Sequence, residues 1–463
     1  MSGTTKRHAI SGRSPRGAPA GRSSLLRDRV ADGVLALLLS ALTYTVYHWT
    51  AGPGINHQSA QPHFVLLASA MLHGRLWLDP LRAAHLGDIT PYAGRYYVSF
   101  PPMPALLLLS FVAVAGAGFN DTLFSVCLGA LDVGLCYLLI RRLSAPGFAG
   151  PGLPLGRWTA VAAALTLGLG TVLFYSAVTA TVWYLAHVVA VTFLLLYLLE
   201  CAGRGRPLLA GLALAAAFLA RTPAIFGLLF WCLLAWRDGP TRARLGALLP
   251  RFAAPLALAV VFLVWQNQVR FGSPTDFGYF KMHIAGQLAP RLRAHGQFSR
   301  AFLPDNLKAL FLDPPLVTRI NPPVWLTIVG GPAGLFRMFT SRAGRHLPFP
   351  IQFNPWGTGL WAVSPVLLFA LRLPRRSDLA LWLAAVLSAI AVAIPDLLYY
   401  NTGWGQYGYR FLLDFAPFLV LLLAMGLRRP LAPPARLLFV LLFVISIASN
   451  YLGARWFLHL PPY

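Results

Sequence analysis

The stretch that decides the fold is residues 51–104, AGPGINHQSAQPHFVLLASAMLHGRLWLDPLRAAHLGDITPYAGRYYVSFPPMP. It contains four histidines, two aspartates and a PPxP turn, and it follows an apolar segment, residues 30–49, that is long enough to cross a membrane. In a lipid-soluble chain, a segment this polar has to lie outside the hydrocarbon or line a cavity. The function therefore depends on the face of the membrane on which this segment lies.

The composition is that of an integral membrane protein. Of the 463 residues, 57% are hydrophobic and only 11% are charged, whereas soluble domains usually carry about 25% charged residues. The net charge of +24 comes from 38 Lys and Arg against 14 Asp and Glu, and the arginines cluster at the ends of apolar segments. This pattern predicts contact with membrane lipids and no binding of nucleic acid. All four cysteines lie in apolar segments, which predicts packing roles and neither disulfides nor a metal site.

The distribution of arginine predicts the topology. Residues 1–29 are predicted to be a disordered, basic cytoplasmic tail, and residues 30–463 a single all-α transmembrane domain. Residues 104–118 are apolar but shorter than the roughly 20 residues needed to cross a bilayer. A crossing there would place Arg141 and Arg142 outside, against the positive-inside rule. We therefore predict an interfacial or re-entrant helix at this place, on the outer side.

The same reasoning predicts about eleven transmembrane helices in a polytopic cell-membrane protein. It leaves a cytoplasmic N-terminus, an extracytoplasmic C-terminus and two long outer loops with amphipathic helices, residues 51–121 and 267–357. The predicted spans are residues 30–49, 122–140, 160–176, 182–200, 208–219, 224–236, 255–266, 358–371, 379–397, 411–427 and 437–456.

Acidic residues are scarce, so those in the outer loops are the candidates for acid–base catalysis. The chain has thirteen Asp and one Glu, and residues 51–104 of the first outer loop offer only Asp79 and Asp88. Asp88 is close in sequence to Tyr92, Arg95 and Tyr97, so an acid, a cation and phenol rings can converge there. The alternative for both acids is structural: Asp88 in a loop turn, and Asp79 at the end of a helix.

Two later segments add candidate groups for substrate binding. In QYGYRFLLDFAPF, Arg410 and Asp414 are four residues apart, so they can form an ion pair on one helix face. Alternatively, Arg410 can hold a phosphate in a forked geometry, next to Tyr409. In RFGSPTDFGYFK, Asp276 and Lys281 follow a predicted span, and an interfacial turn is the alternative interpretation.

No motif for a nucleotide, a metal or another cofactor is present in the sequence. There is no GxxxxGK[ST] and no HExxH, and the four loop histidines are six, ten and twelve residues apart, unlike a helical metal pair. His63 and His73 are therefore expected at the headgroup interface. Asp132, in the second predicted span, is an intramembrane acid with either a functional role or a neutral packing role.

The order of these features resembles the GT-C superfamily of polytopic glycosyltransferases. One span, a long outer loop ending in PPxP, an interfacial helix and a span ending in RRL carry the resemblance, together with RFGSPTDFGY and QYGYRFLLDFAPF. These segments resemble bacterial members related to the dolichyl-phosphate-mannose protein mannosyltransferases. The resemblance implies a cell-envelope enzyme that transfers a sugar, with inversion, from a polyprenyl-phosphate lipid to an acceptor on the outer face.

In that superfamily, an acid shortly after the first span is the base, and basic residues hold the lipid phosphate. This sequence departs from the pattern, because Asn56-His57-Gln58 stands where the acid is expected. By resemblance, the role of base falls to Asp88 or Asp79. Two other functions stay open from the sequence: a transporter or flippase of a lipid-linked intermediate, and a noncatalytic membrane assembly factor. The sequence does not indicate an oligomeric state.

Overall fold

The computed structural model describes residues 22–237, 241–284, 286–317, 351–354, 356–403 and 405–458. This part of the chain is a bundle of helices with short strands at one end. Its α-helices are α1 (Arg22–Ala51), α2 (His63–Leu72), α3 (Pro80–Ala83), α4 (Met103–Ala115), α5 (Asp121–Leu143), α6 (Arg157–Leu169), α7 (Leu173–Thr179), α8 (Val182–Ala202), α9 (Pro207–Ala220), α10 (Leu228–Arg237), α11 (Arg242–Phe271), α12 (Leu288–His295), α13 (Leu303–Leu307), α14 (Leu360–Val363), α15 (Leu379–Leu397), α16 (Ala416–Leu427) and α17 (Pro433–Leu458).

Three small two-stranded sheets modify the all-α expectation. The strands β1 (Thr90–Tyr92) and β2 (Arg95–Tyr97) form an antiparallel hairpin in the first outer loop. The strands β3 (Leu316–Val317) and β4 (Ile351–Gln352) are antiparallel. The strands β5 (Trp356–Thr358) and β6 (Gln406–Gly408) are parallel and join the second outer loop to the 401–410 turn.

The helices confirm a polytopic membrane fold, whereas the count of eleven spans stays a prediction. Among the described residues, α1, α5, α8, α11, α15 and α17 are long and apolar enough to cross a membrane. A seventh span results if α6 and α7, which meet at a bend of 49°, are taken together. The predicted spans 208–219 and 224–236 coincide with the shorter helices α9 and α10.

Besides the bend between α6 and α7, two later predicted spans are interrupted. In the predicted span 358–371, α14 ends at Val363 and a 3₁₀-helix, Pro365–Leu371, continues the chain. In the predicted span 411–427, a 3₁₀-helix, Arg410–Asp414, precedes α16. Proline explains the first break, because Pro365 has no amide hydrogen to donate to the preceding turn.

The predicted tail and second loop are only partly described. Residues 1–21 and 318–350 lie outside the described residues. The last part of the predicted tail is helical, because α1 begins at Arg22.

The short apolar helix predicted at residues 104–118 is present as α4, followed by a 3₁₀ turn, Gly116–Gly118. It packs against α2 and the first half of α8, and together they form a hydrophobic cluster of their own beside the main core of the bundle. This cluster supports the β1–β2 hairpin and the loop that leads into it. The polar stretch of residues 51–104 is therefore a folded layer on the bundle.

The two ends of the bundle differ in charge. At one end, called the basic end, Arg141 and Arg157 both donate to Asp32, and Arg428 pairs with Asp378. The other end carries Asp88. Helix α8 connects the two ends: it starts beside Asp88 and ends near Arg204 and Arg206 at the basic end. We call the end with Asp88 the site end. The folded loop layer and the three small sheets all lie at the site end or lead into it.

Candidate functional site

Asp88 is held in an unusual turn. Its backbone φ is +52°, in the left-handed region that residues other than glycine rarely adopt, although Asp tolerates it better than most. Its side chain is half-buried and accepts a hydrogen bond of 2.8 Å from Trp183 Nε1, at the start of α8. Strained backbone of this kind is concentrated at functional sites.

The carboxyl group of Asp88 lies near a cation. Burial raises the pKa of Asp88 above its ordinary value, and the hydrogen bond from Trp183 and the positive charge of Arg410 oppose this rise. A carboxylate with a raised pKa beside a fixed cation can accept a proton from a nearby hydroxyl group at neutral pH.

Arg410 is buried at the start of the 3₁₀-helix that leads into α16. Its Nη1 donates to the carbonyl of Gly403, and its guanidinium lies 5.4 Å from the ring centre of Tyr184. Among the described residues, its Nε–H has no hydrogen-bond partner. A buried donor without a partner is rare in folded proteins and indicates that a water or a ligand atom completes its contacts.

The ion pair between Arg410 and Asp414 that the sequence allowed does not form, because Asp414 pairs with Arg221. The segment is a 3₁₀-helix rather than an α-helix, so residues four apart do not share a face as expected. Asp414 instead pairs with Arg221, whose Nη2 donates to Oδ2 at 2.8 Å and whose Nε donates at 3.0 Å. His187 Nδ1 lies 2.8 Å from the other oxygen of Asp414.

Arg221 therefore connects three elements at the site end. It lies in the turn after α9, it holds Asp414 before α16, and its Nη2 reaches Asp396 in α15 at 3.4 Å. The ring of Phe411 lies between the two cations, 5.2 Å from the guanidinium of Arg221 and 5.1 Å from that of Arg410. This network fixes the position of the segment from which Arg410 projects.

A second group of predicted residues meets around the ring of Phe271. Tyr92 and Tyr97 contact this ring edge-on, with centres 5.8 and 5.3 Å away. Lys281 lies over Tyr92, 5.1 Å from its ring centre, and forms an ion pair with Asp276. Burial opposes ionisation of Asp276, but the hydrogen bonds from Lys281 and the Gly278 amide lower its pKa below the ordinary value.

Other predicted residues have local structural contacts. Asp79 is exposed and caps α3, since its Oδ1 accepts from the amide of Leu81 at 2.9 Å. Arg95 is exposed, and its guanidinium lies 3.8 Å from the ring centre of Trp77. Tyr409 is buried and donates to Asn306 at 3.2 Å. Of the two acids considered as a base, the geometry favours Asp88.

The histidines differ from the sequence expectation in one case. His63 is fully buried at the start of α2 and does not lie at an exposed interface, because its Nε2 bonds to the carbonyl of Gly87. His73 is exposed, at the end of α2. No group of three or more metal-ligating side chains occurs among the described residues.

Asp132 is buried between α5 and α8 and accepts a hydrogen bond of 2.6 Å from Thr192, which leaves its two interpretations open.

Sequence reasoning missed Trp183, His187, Arg221, Asp396 and Phe411. Arg221 left a signal: it lies between the predicted spans 208–219 and 224–236, at the outward end where the positive-inside rule disfavours arginine. An arginine in that position indicates a partner of opposite charge or a bound anion. Asp396 and His187 left a signal of the same kind, because ionisable residues inside spans are rare. Trp183 and Phe411 carry none, because aromatic residues are common throughout the spans.

No family model and no curated protein matches the sequence. Among solved structures, the chain is similar to ArnT from Cupriavidus metallidurans bound to undecaprenyl phosphate, with a TM-score of 0.50 and 14% sequence identity over 91% of this chain and 76% of ArnT.

Two further structures give similar values. The Archaeoglobus fulgidus oligosaccharyltransferase, tethered with an acceptor peptide, has a TM-score of 0.49 and 14% identity over 92% of this chain and 55% of that enzyme. ArnT in the apo state has a TM-score of 0.47 and 15% identity over 93% of this chain and 77% of ArnT. ArnT is a GT-C glycosyltransferase, and the likeness to its undecaprenyl-phosphate-bound structure shows that this chain has the GT-C fold. The fold expected from the sequence resemblance is thereby confirmed.

Proposed function

We propose that this protein is a membrane glycosyltransferase that transfers a sugar from a polyprenyl-phosphate-linked donor to an acceptor hydroxyl group. The observation that carries the proposal is Asp88: a half-buried carboxyl with a raised pKa, fixed by Trp183 and within electrostatic range of Arg410, at one end of a GT-C fold. A general base must lie within reach of the proton that it removes, and the side chain of Asp88 is only partly buried.

The reaction assigned to this site is a single displacement. Asp88 takes the proton of the acceptor hydroxyl, and the acceptor oxygen uses its electron pair to bond to the anomeric carbon of the sugar. The bond between that carbon and the phosphate oxygen breaks, and its electrons leave with the polyprenyl phosphate. Attack from the opposite face inverts the configuration of the anomeric carbon, as the sequence resemblance implies.

Arg410 is the candidate for the phosphate of the donor. Its guanidinium is buried, carries an unpartnered Nε–H and has no carboxylate in direct contact among the described residues. Arginine suits phosphate because its planar fork donates two parallel hydrogen bonds. ArnT was crystallised with undecaprenyl phosphate, which supports a polyprenyl lipid as the carrier here. Lys281 and the Tyr92 ring form a further cationic and aromatic edge for the donor.

The charge distribution supports an outward-facing site. Arginines gather at the basic end, and the positive-inside rule places such an end in the cytoplasm. The site end then faces the outside of the cell membrane, with a cytoplasmic N-terminus and an extracytoplasmic C-terminus. Nucleotide sugars are cytoplasmic, so an outward site requires a membrane-borne donor. This requirement fits the proposed polyprenyl-phosphate sugar.

The test is Asp88→Asn with Asp79→Asn as the matched control. Both changes replace a carboxylate by an amide in the same loop, but Asp79 is exposed and Asn can keep its capping bond. We expect Asp88→Asn to lower the rate of transfer by about 10²- to 10⁴-fold, the usual contribution of a general base. Asp79→Asn should leave the rate unchanged.

Two readouts are needed. In a deletion strain complemented with each variant, glycan and lipid-linked sugar analysis shows whether donor lipid accumulates and product is lost. With purified protein in nanodiscs, the release of polyprenyl phosphate is measured for each member of a panel of synthetic polyprenyl-phosphate sugars, starting with mannose. Wild-type rates for Asp88→Asn in both systems would refute the assignment of the base. If Asp88→Asn keeps the full rate of sugar transfer and the deletion strain no longer moves the sugar lipid across the membrane, the flippase function is favoured instead.

A further inference from the structure

The backbone of Gly87, directly before Asp88, is held by two side-chain hydrogen bonds. The amide of Gly87 donates to Gln61 Oε1 at 2.9 Å, and the carbonyl of Gly87 lies 2.7 Å from His63 Nε2. The side chains of Gln61 and His63 are both buried, and a single proline separates the two residues at the start of α2. The two peptide groups that flank the Cα atom of Gly87, the second of which joins it to Asp88, are therefore both held in orientation.

The protonation state of His63 follows from its surroundings. Burial lowers the pKa of His63, although hydrogen bonds to the Gly87 and Gln61 carbonyls oppose the effect. A neutral imidazole has one N–H, and a carbonyl only accepts, so the shorter contact identifies Nε2 as the donor to Gly87. His63 is therefore a neutral donor with a fixed tautomer.

The left-handed turn at Asp88 needs such support. A non-glycine residue in this region is disfavoured, and it persists only where its surroundings enforce it. The hydrogen bond that His63 Nε2 donates fixes the peptide group between Gly87 and Asp88, and the hydrogen bond that Gln61 Oε1 accepts fixes the peptide group before it. In this conformation the carboxylate reaches Trp183.

The same segment also fixes Trp183. The amide of Val182, the first residue of α8, donates to the backbone carbonyl of Gln61 at 3.1 Å. The rings of His63 and Trp183 are in contact, with centres 6.3 Å apart. Residues 61–63 thus hold both the turn that carries Asp88 and the indole that binds its carboxylate.

We propose that Gln61 and His63 are positioning residues, which hold Asp88 in the left-handed turn that presents its carboxylate to the reaction. The proposal rests on the proposed function, in which Asp88 is the base. It assigns a role to a buried histidine that makes no contact with the substrate. It also explains why a strained aspartate occurs in this loop.

The test compares His63→Leu with His63→Gln. Leucine removes the donor at similar volume, whereas the amide nitrogen of glutamine can replace Nε2. A buried carbonyl left without its donor costs about 1–3 kcal/mol, so we expect His63→Leu to lower kcat by about 5- to 150-fold. The KM for the panel sugar that the wild type turns over fastest should change less than threefold, because Arg410 is untouched. His63→Gln should recover most of kcat.

A structural readout separates this inference from the proposed function. Cryo-electron microscopy of His63→Leu in nanodiscs should show Asp88 out of the left-handed region and its bond to Trp183 broken, whether or not Asp88 is the base. An unchanged turn, or equal loss of kcat in His63→Leu and His63→Gln, would overturn the positioning role. Full activity of Asp88→Asn would overturn the proposed function alone. If His63→Leu does not accumulate, Gln61→Met, which removes the acceptor of the Gly87 amide at similar volume, gives the same test.

Discussion

Replacing Arg221 by methionine tests the network that fixes the site end. Arg221 donates to Asp414 through Nη2 at 2.8 Å and Nε at 3.0 Å, and Asp414 is completely buried, with 0% of its side chain exposed. Methionine keeps most of the length of the side chain but removes the charge and both donors. The carboxylate of Asp414 would then keep His187 as its remaining described side-chain partner.

The expected cost follows from these contacts. A hydrogen bond to a charged group contributes about 1.5–3 kcal/mol, and breaking a buried ion pair on one side costs about 3–5 kcal/mol. We therefore expect Arg221→Met to lower the free energy of unfolding by about 3–5 kcal/mol. The double variant Arg221→Met/Asp414→Asn should be more stable than Arg221→Met alone, because it removes the unpaired charge and keeps an acceptor for His187.

The assay uses the protein's own buried thiols. Cys136 and Cys201 are free and buried, whereas Cys127 is exposed and Cys232 half-buried. With Cys127 and Cys232 replaced by alanine in every variant, a thiol-reactive dye reports unfolding of the purified protein in detergent during a heating ramp at constant rate. Arg291→Met is the matched control, because its pair with Asp305 has the same 2.7–2.8 Å length but is 37% and 49% exposed. Exposed pairs contribute about 0–1 kcal/mol. Equal midpoints for Arg221→Met and Arg291→Met, or a double variant less stable than Arg221→Met, would refute the reasoning.

Three further predictions concern single groups. The rate of sugar transfer should rise with pH through the pKa of Asp88, because the base acts ionised and burial raises that pKa; a pH–rate profile with its acid limb near the ordinary value of about 3.9 would contradict it. Asn306→Ala removes donors to two carbonyls at the end of α15 and should cost about 1–3 kcal/mol, seen as a lower unfolding midpoint, and an unchanged midpoint would show that these bonds are not needed. Gly453→Ala places a methyl group 2.2 Å from the buried Tyr407 ring and should prevent accumulation of folded protein, whereas Gly246→Ala, with open space around it, should accumulate normally in the same membrane blot.

The sequence was sufficient for the class of fold because hydrophobicity and arginine placement are local properties. A membrane segment must be apolar along its length, so the long helices could be found from composition alone. The short helix α4 was predicted for the same reason, since its apolar run is too short to cross. Arginine at span ends gave the charge asymmetry between the two ends of the bundle.

Asp88 was selected from the sequence as a scarce acid in an outer loop and Arg410 as an arginine at the outer mouth of a span, and the structure places them within electrostatic range of each other. Their partners were not predictable in the same way. A pair of Arg410 with Asp414 four residues later was one of two alternatives from the sequence, but a 3₁₀ segment changes which residues share a face. His63 was expected at an interface and is instead buried against the turn of Asp88.

The sequence by itself determined that the chain is a helical membrane protein, that its charge is concentrated at one end, and that few acids are available for catalysis. The tertiary structure alone decided which groups meet: Arg221 and Asp414 are 193 positions apart in the chain, and Trp183 and Asp88 are 95 apart. The physical reason is that hydropathy depends on the residues of one segment, whereas a hydrogen bond depends on atoms of two segments coming within about 3 Å. That proximity is set by the packing of the whole bundle.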